Sequence, residues 1–146
     1  MTFRSLVFGT GATSPATDLG LLLLRLGLGL MMAFGHGLGK LPPSAGFIEG
    51  TAAMGFPLPT VFAWAAALSE FVGGLLIAVG LATRPAALFV AGTMAVAAFV
   101  AHAGDPFGDR EMALVYLTGA LALVATGGGR YALDRLVDRP AAVSYA

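Results

Sequence analysis

Arg25, His36, Lys40, Glu70, His102 and Glu111 each lie within or at the edge of a stretch otherwise built of Leu, Ala, Val, Gly, Met and Phe. Ionisable groups in such surroundings are expensive. A carboxylate near the centre of a bilayer costs about 2.5–3.5 kcal/mol on insertion scales. Glu70 therefore stands out as a proton donor or acceptor, a polar contact for a small ligand, or a structural partner for Arg25. Arg25, Gly29, Met32, His36 and Lys40 are spaced 4, 3, 4 and 4, which puts them on one face of a regular α-helix. Arg25 suits a counter-ion role, and Lys40 can extend its ammonium to a membrane boundary. Glu111 has two readings: a wall of a polar pocket, or a carboxylate favoured by the dipole at a helix start. His36 and His102 could donate to a ligand carbonyl, or simply sit at a water boundary. A haem held between them is the weaker alternative, because four helices leave little room for a porphyrin.

The composition names the solvent. Of 146 residues, 58% are hydrophobic and 11% charged, with a mean hydropathy of +0.86. A soluble domain needs roughly a quarter of its residues charged to cover its surface, so the excess apolar side chains face lipid. Formal net charge is zero, which gives no field directed at nucleic acid. Cysteine is absent, removing disulfides, thiolate metal sites and cysteine-bound clusters, and two histidines alone do not build a zinc site.

Four membrane helices follow from the apolar runs, giving an all-α bundle with spans at about 19–40, 59–82, 85–103 and 111–127. Twenty residues from Leu19 to Leu38 reach about 30 Å, the thickness of the hydrocarbon core. Asp18 is the expected N-cap of the first, and Pro42–Pro43 close it. Trp64 anchors the second near an interface, and Pro85 starts the third directly after it. The fourth has the shortest apolar part and depends on bilayer thinning or flanking polar residues. Residues 41–58 should form a short helix over the mouth of the bundle. Residues 1–18 read as a flexible tail, too short in its apolar part for a signal peptide. Residues 128–146 read as a cytoplasmic tail in which Arg130, Asp134, Arg135, Asp138 and Arg139 make a short amphipathic helix, after a Gly127–Gly129 helix stop with no phosphate-loop pattern around it. Arg4, Arg84, Arg130, Arg135 and Arg139 fall on one side, Lys40 and Arg110 on the other. That asymmetry places both termini in the cytoplasm.

Lipid tails give helices no hydrophobic reason to associate, so small residues mark their contact faces. Ala63, Ala67, Glu70 and Gly74 share one face; so do Ala91, Ala95, Ala98 and His102, and Glu111, Val115, Thr118, Ala122 and Ala125. Gly35 and Gly39 form a GxxxG pair. By depth, His36, Lys40, His102 and Glu111 occupy the outer third and Glu70 the midplane. The expectation is an outward-opening polar pocket with Glu70 at its floor and Arg25 reaching up from below.

The segments Arg25–Gly27, Gly35-His36-Gly37-Leu38-Gly39-Lys40, Gly55–Pro57, Glu70–Gly74, Gly80–Arg84, Glu111–Leu114 and Gly129–Asp134, in this order, resemble the DoxX family of small four-helix membrane proteins. Ala132 stands where that pattern usually has Ser. The resemblance implies a multi-pass protein of the bacterial inner membrane, associated with redox complexes of the thiosulfate:quinone oxidoreductase type. On that reading the chain is an accessory membrane subunit that binds a quinone or similar amphipathic molecule at Arg25, His36, Lys40, Glu70, His102 and Glu111, with Glu70 the best catalytic candidate. Its partner would carry the redox centre. The rivals are a homo-oligomeric transporter or proton path, and a non-catalytic scaffold for a partner enzyme.

Overall fold

The computed structural model describes residues 14–137. Four long helices form one bundle: α1 (Pro15–Lys40), α3 (Pro59–Val79), α4 (Thr83–Ala101) and α5 (Phe107–Thr126). Two short helices, α2 (Ala45–Ala53) and α6 (Asp134–Val137), lie outside it. Helices α1, α3 and α4 are long and apolar enough to cross a membrane. The 20 residues of α5 have the same reach of about 30 Å, but Asp109, Arg110 and Glu111 occupy its first turns. Its inner face packs along α4 and α1, closing the ring in the order α1, α3, α4, α5. Leu23, Phe34, Leu88, Phe89, Val115 and Leu121 face outward around the perimeter, as lipid requires.

Several boundaries move. The first helix begins at Pro15 rather than Leu19, and Ser14 is its N-cap, accepting from the Thr17 amide at 3.2 Å. Proline at the first helical position explains the earlier start. Asp18 is instead buried and accepts from the Arg130 amide at 2.8 Å. The remainder of the assigned N-terminal tail, and Asp138 and Arg139, lie outside the described residues. The expected mouth helix is present as α2, capped by Ser44.

Close approach of α1 and α3 holds the bundle together. A Cβ on Gly29 would fall 2.5 Å from the Gly74 carbonyl oxygen, and one on Gly74 2.9 Å from the Ala33 amide nitrogen. The two backbones are in direct contact there. Gly35 and Gly39, by contrast, face open space, so the GxxxG pair is not the packing motif.

At the end of the bundle where α1 starts, the chain after α5 folds back beneath it. Asp134, expected on an amphipathic surface helix, is buried: its carboxylate accepts from the amides of Ala82 at 2.6 Å and Thr83 at 2.9 Å. It thereby caps the start of α4, where Ala82 holds a positive φ of 47° and offers no side-chain cap of its own. Gly80 also has a positive φ, 74°, and a Cβ there would collide with the Arg25 guanidinium and Ala132. Only glycine satisfies both the conformation and the space. Asp134→Ala is expected to cost about 2–3 kcal/mol, through two orphaned amides and a buried arginine without its carboxylate neighbour. Thermal unfolding in detergent checks this; wild-type stability would show that the clasp contributes nothing.

Candidate binding site between the membrane helices

Glu70 is 1% exposed, and its two carboxylate oxygens lie 2.6 and 2.7 Å from Lys40 Nζ. Lys40 ends α1 in a tight 3₁₀ turn, Leu38–Lys40, and keeps about a third of its surface exposed (34%). Its ammonium lies 5.5 Å from the Phe47 ring centroid, within cation–π range. Two of its protons face Glu70, leaving one N–H for a third acceptor.

This pair borders a cavity of about 580 Å³, within the size range of small-molecule sites. Phe47 and Thr51 of α2, with Met54 and Phe56 just after it, form one wall; most of the rest comes from α3 and α4. Thr93 Oγ1 lies 3.1 Å from Ser69 Oγ and ties the stripes together. His102, which follows α4, lines the cavity, and its Nδ1 is 2.7 Å from the Asp105 carboxylate. That contact leaves Nε2 as the ring nitrogen for other partners. The α2 wall is the helix expected over the mouth, whereas Ser69 and Thr93 were missed in the sequence, because single hydroxyls on apolar helices carry no spacing signal.

Three of the four bundle helices, α1, α3 and α4, are locally widened. Met31–Gly37, Ser69–Gly73 and Ala97–Ala101 are π-helical, a rare geometry that gathers at functional sites. Glu70 lies inside one such turn, and His102 directly follows another.

The widened turn of α1 also divides the predicted stripe. Arg25, Gly29 and Met32 are buried as expected, but beyond them the buried positions of α1 are Ala33 and Gly37, not His36 and Lys40. His36 is rotated off the stripe and meets Tyr116 of α5 edge-to-face, with centroids 5.2 Å apart. It does not line the cavity.

Arg25 departs too. It is fully buried, donates to the Ala78 carbonyl at 3.3 Å and lies in the field of Asp134. Ala78 is eight residues beyond Glu70 along α3, about 12 Å away. Glu70 is therefore partnered by Lys40, not by Arg25. Glu111 is exposed, as are Val115, Thr118, Ala122 and Ala125. The buried face of α5 is Tyr116, Ala120 and Leu123, where a notch at Gly119 receives Leu28. The polar-and-small stripe was the wrong face because shape complementarity, not residue size alone, sets this contact. Of the predicted residues, Lys40, Glu70 and His102 come together at one cavity; Arg25, His36 and Glu111 do not.

Fold and cavity define a small multi-pass membrane protein with a largely apolar cavity bordered by an ion pair. The DoxX family profile matches residues 20–103, and the chain belongs to the DoxX family. It is 34% identical over 131 residues to the inner membrane protein YqjF of Escherichia coli, covering 84% of this chain and 95% of that one. It is 35% identical over 121 residues to a Bacillus subtilis protein named "Putative oxidoreductase CatD", covering 82% and 88%. The inner membrane protein YphA of Escherichia coli is 32% identical over 137 residues, covering 88% and 95%. No solved structure matches. The chain is a multi-pass inner-membrane protein.

Proposed function

We propose that the protein is a membrane subunit of a quinone-linked redox complex, binding a quinone or a comparably small amphipathic molecule beside Glu70. The observation that carries this reading is the Lys40–Glu70 pair at the wall of an apolar chamber within the membrane helices. A quinone head group needs a donor for a carbonyl oxygen and a route for protons. The third N–H of Lys40 serves the first, and Glu70 and His102 serve the second. With no cysteine in the chain, the electron carrier is assigned to a partner subunit. The positive residues put both termini on the cytoplasmic side and the Lys40 end of the bundle outward. The name of the Bacillus relative points in the same direction.

Glu70→Gln keeps the size of the side chain but removes the charge that orients Lys40. Titration of the protein in nanodiscs with a decyl-tailed ubiquinone should show affinity reduced at least about tenfold, or 1.4 kcal/mol. Unchanged binding would remove Glu70 from the site and the reading with it.

A further inference from the structure

Lysine, glutamate and histidine in a membrane cavity leave open whether the ligand arrives from water or from the bilayer. We propose that it is a single-tailed lipid-soluble molecule which enters sideways between α3 and α4 at Gly92, its tail lying in the groove between those helices. This rests on the reading of the site as a quinone-type pocket and adds the route and the tail.

The argument starts from the faces of the two helices. Ala63, Ala67 and Gly74 of α3, and Ala87, Val90, Ala91, Met94 and Ala98 of α4, are buried in the bundle. The cavity is lined by other faces: Phe62, Ala65, Ala66 and Ser69 on α3, and Phe89, Gly92, Thr93 and Val96 on α4. Phe62 is 40% exposed and Phe89 69%. Both helices are membrane spans, so what these faces meet is hydrocarbon. The chamber therefore continues into a groove on the lipid-facing perimeter, and Glu70 and Lys40 sit at its inner edge. Ala65, Ala66 and Gly92 leave the floor of that groove unfilled, and a Cβ added at Gly92 would meet nothing within 4 Å. The Thr93–Ser69 contact holds the helices together beside the opening, so the gap is framed rather than collapsed.

The opposed chemistry of the two regions sets the ligand's shape. A polar head with hydrogen-bond acceptors pairs with Lys40, while an uncharged apolar chain suits the alanine- and phenylalanine-lined groove. A two-chain phospholipid with a phosphate head fits less well, because Glu70 adds a fixed carboxylate beside the head position.

Gly92→Phe tests the route. The site is exposed and helical, so a side chain there is sterically free and better for the helix than glycine. Thermal stability should be at least that of the wild type. In nanodiscs the variant should bind decyl-tailed ubiquinone at least tenfold more weakly, whereas affinity for the tail-less dimethoxy-methyl-benzoquinone should change less than threefold. Undiminished binding of the tailed quinone would overturn the lateral route while leaving the head-group site intact. Equal losses for both quinones would also overturn it, because the head site itself would then have been disturbed. Glu70→Gln separates the two layers: it should weaken both quinones, and if it weakens neither, the head-group reading fails and the route falls with it.

Discussion

Lys40→Met should destabilise the bundle by about 3 kcal/mol, whereas Glu70→Gln should cost about 1 kcal/mol. The difference follows from burial. Glu70 is 1% exposed and Lys40 34%. Removing the lysine leaves a carboxylate fixed in an apolar wall, where it must remain charged without a partner or take up a proton. Removing the glutamate leaves an ammonium on a flexible stem, which can turn toward the nearby exposed face. The partial exposure of Lys40 keeps the first figure at the lower end of the 3–5 kcal/mol typical of broken buried pairs. Thermal unfolding of the two single variants and the Lys40→Met/Glu70→Gln double variant measures the coupling. The double variant should recover most of the loss. Equal costs for the two single variants would show that Glu70 is not held as an anion.

The second large effect concerns the backbone contact between α1 and α3. Gly74→Val should cost about 3 kcal/mol or more, since its new atoms would meet the Gly29 carbonyl and Ala33 amide rather than a movable side chain. The helices would have to separate, and their contact supports both Glu70 and Lys40. Gly35→Ala and Gly39→Ala provide the control: both positions open onto empty space, so their effect should stay within about 0.5 kcal/mol. Size-exclusion profiles after heating would rank the three. Loss of the folded peak in the Gly35 or Gly39 variants would mean that a second copy of the chain packs on that face.

The bundle was legible because its information lies in long apolar runs and their breaks, which survive errors of several residues. The contact faces of α3 and α4 were legible for the same reason: their alanines, Glu70 and Gly74 follow helical spacing across the whole span. The site was only partly so. The α1 stripe assumed one period from Arg25 to Lys40, and the widened turn at Met31–Gly37 changes that period without any proline or charge to announce it. Glu111 was assigned to the interior by chemistry, whereas α5 chooses its face by how Tyr116, Gly119 and Leu123 fit Leu28 and its neighbours. Pairing Glu70 with Arg25 failed differently. Both were recognised as needing partners, but the true partners of Arg25 lie some 50 residues or more along the chain, at Ala78 and Asp134, beyond any local pattern.

The clasp formed by residues 127–137 has a consequence for the order in which the protein can be made. Helices enter the bilayer as they leave the ribosome, and α1, α3 and α4 are all synthesised before Asp134 exists. Until then the amides of Ala82 and Thr83 lack the carboxylate that receives them, Arg25 lacks its neighbouring anion, and Asp18 lacks the Arg130 amide. Assembly of this end of the bundle is thus completed by a segment made after all four long helices. A nascent chain that stalls after α5 carries Arg25 without the Asp134 carboxylate beside it and the start of α4 without its cap.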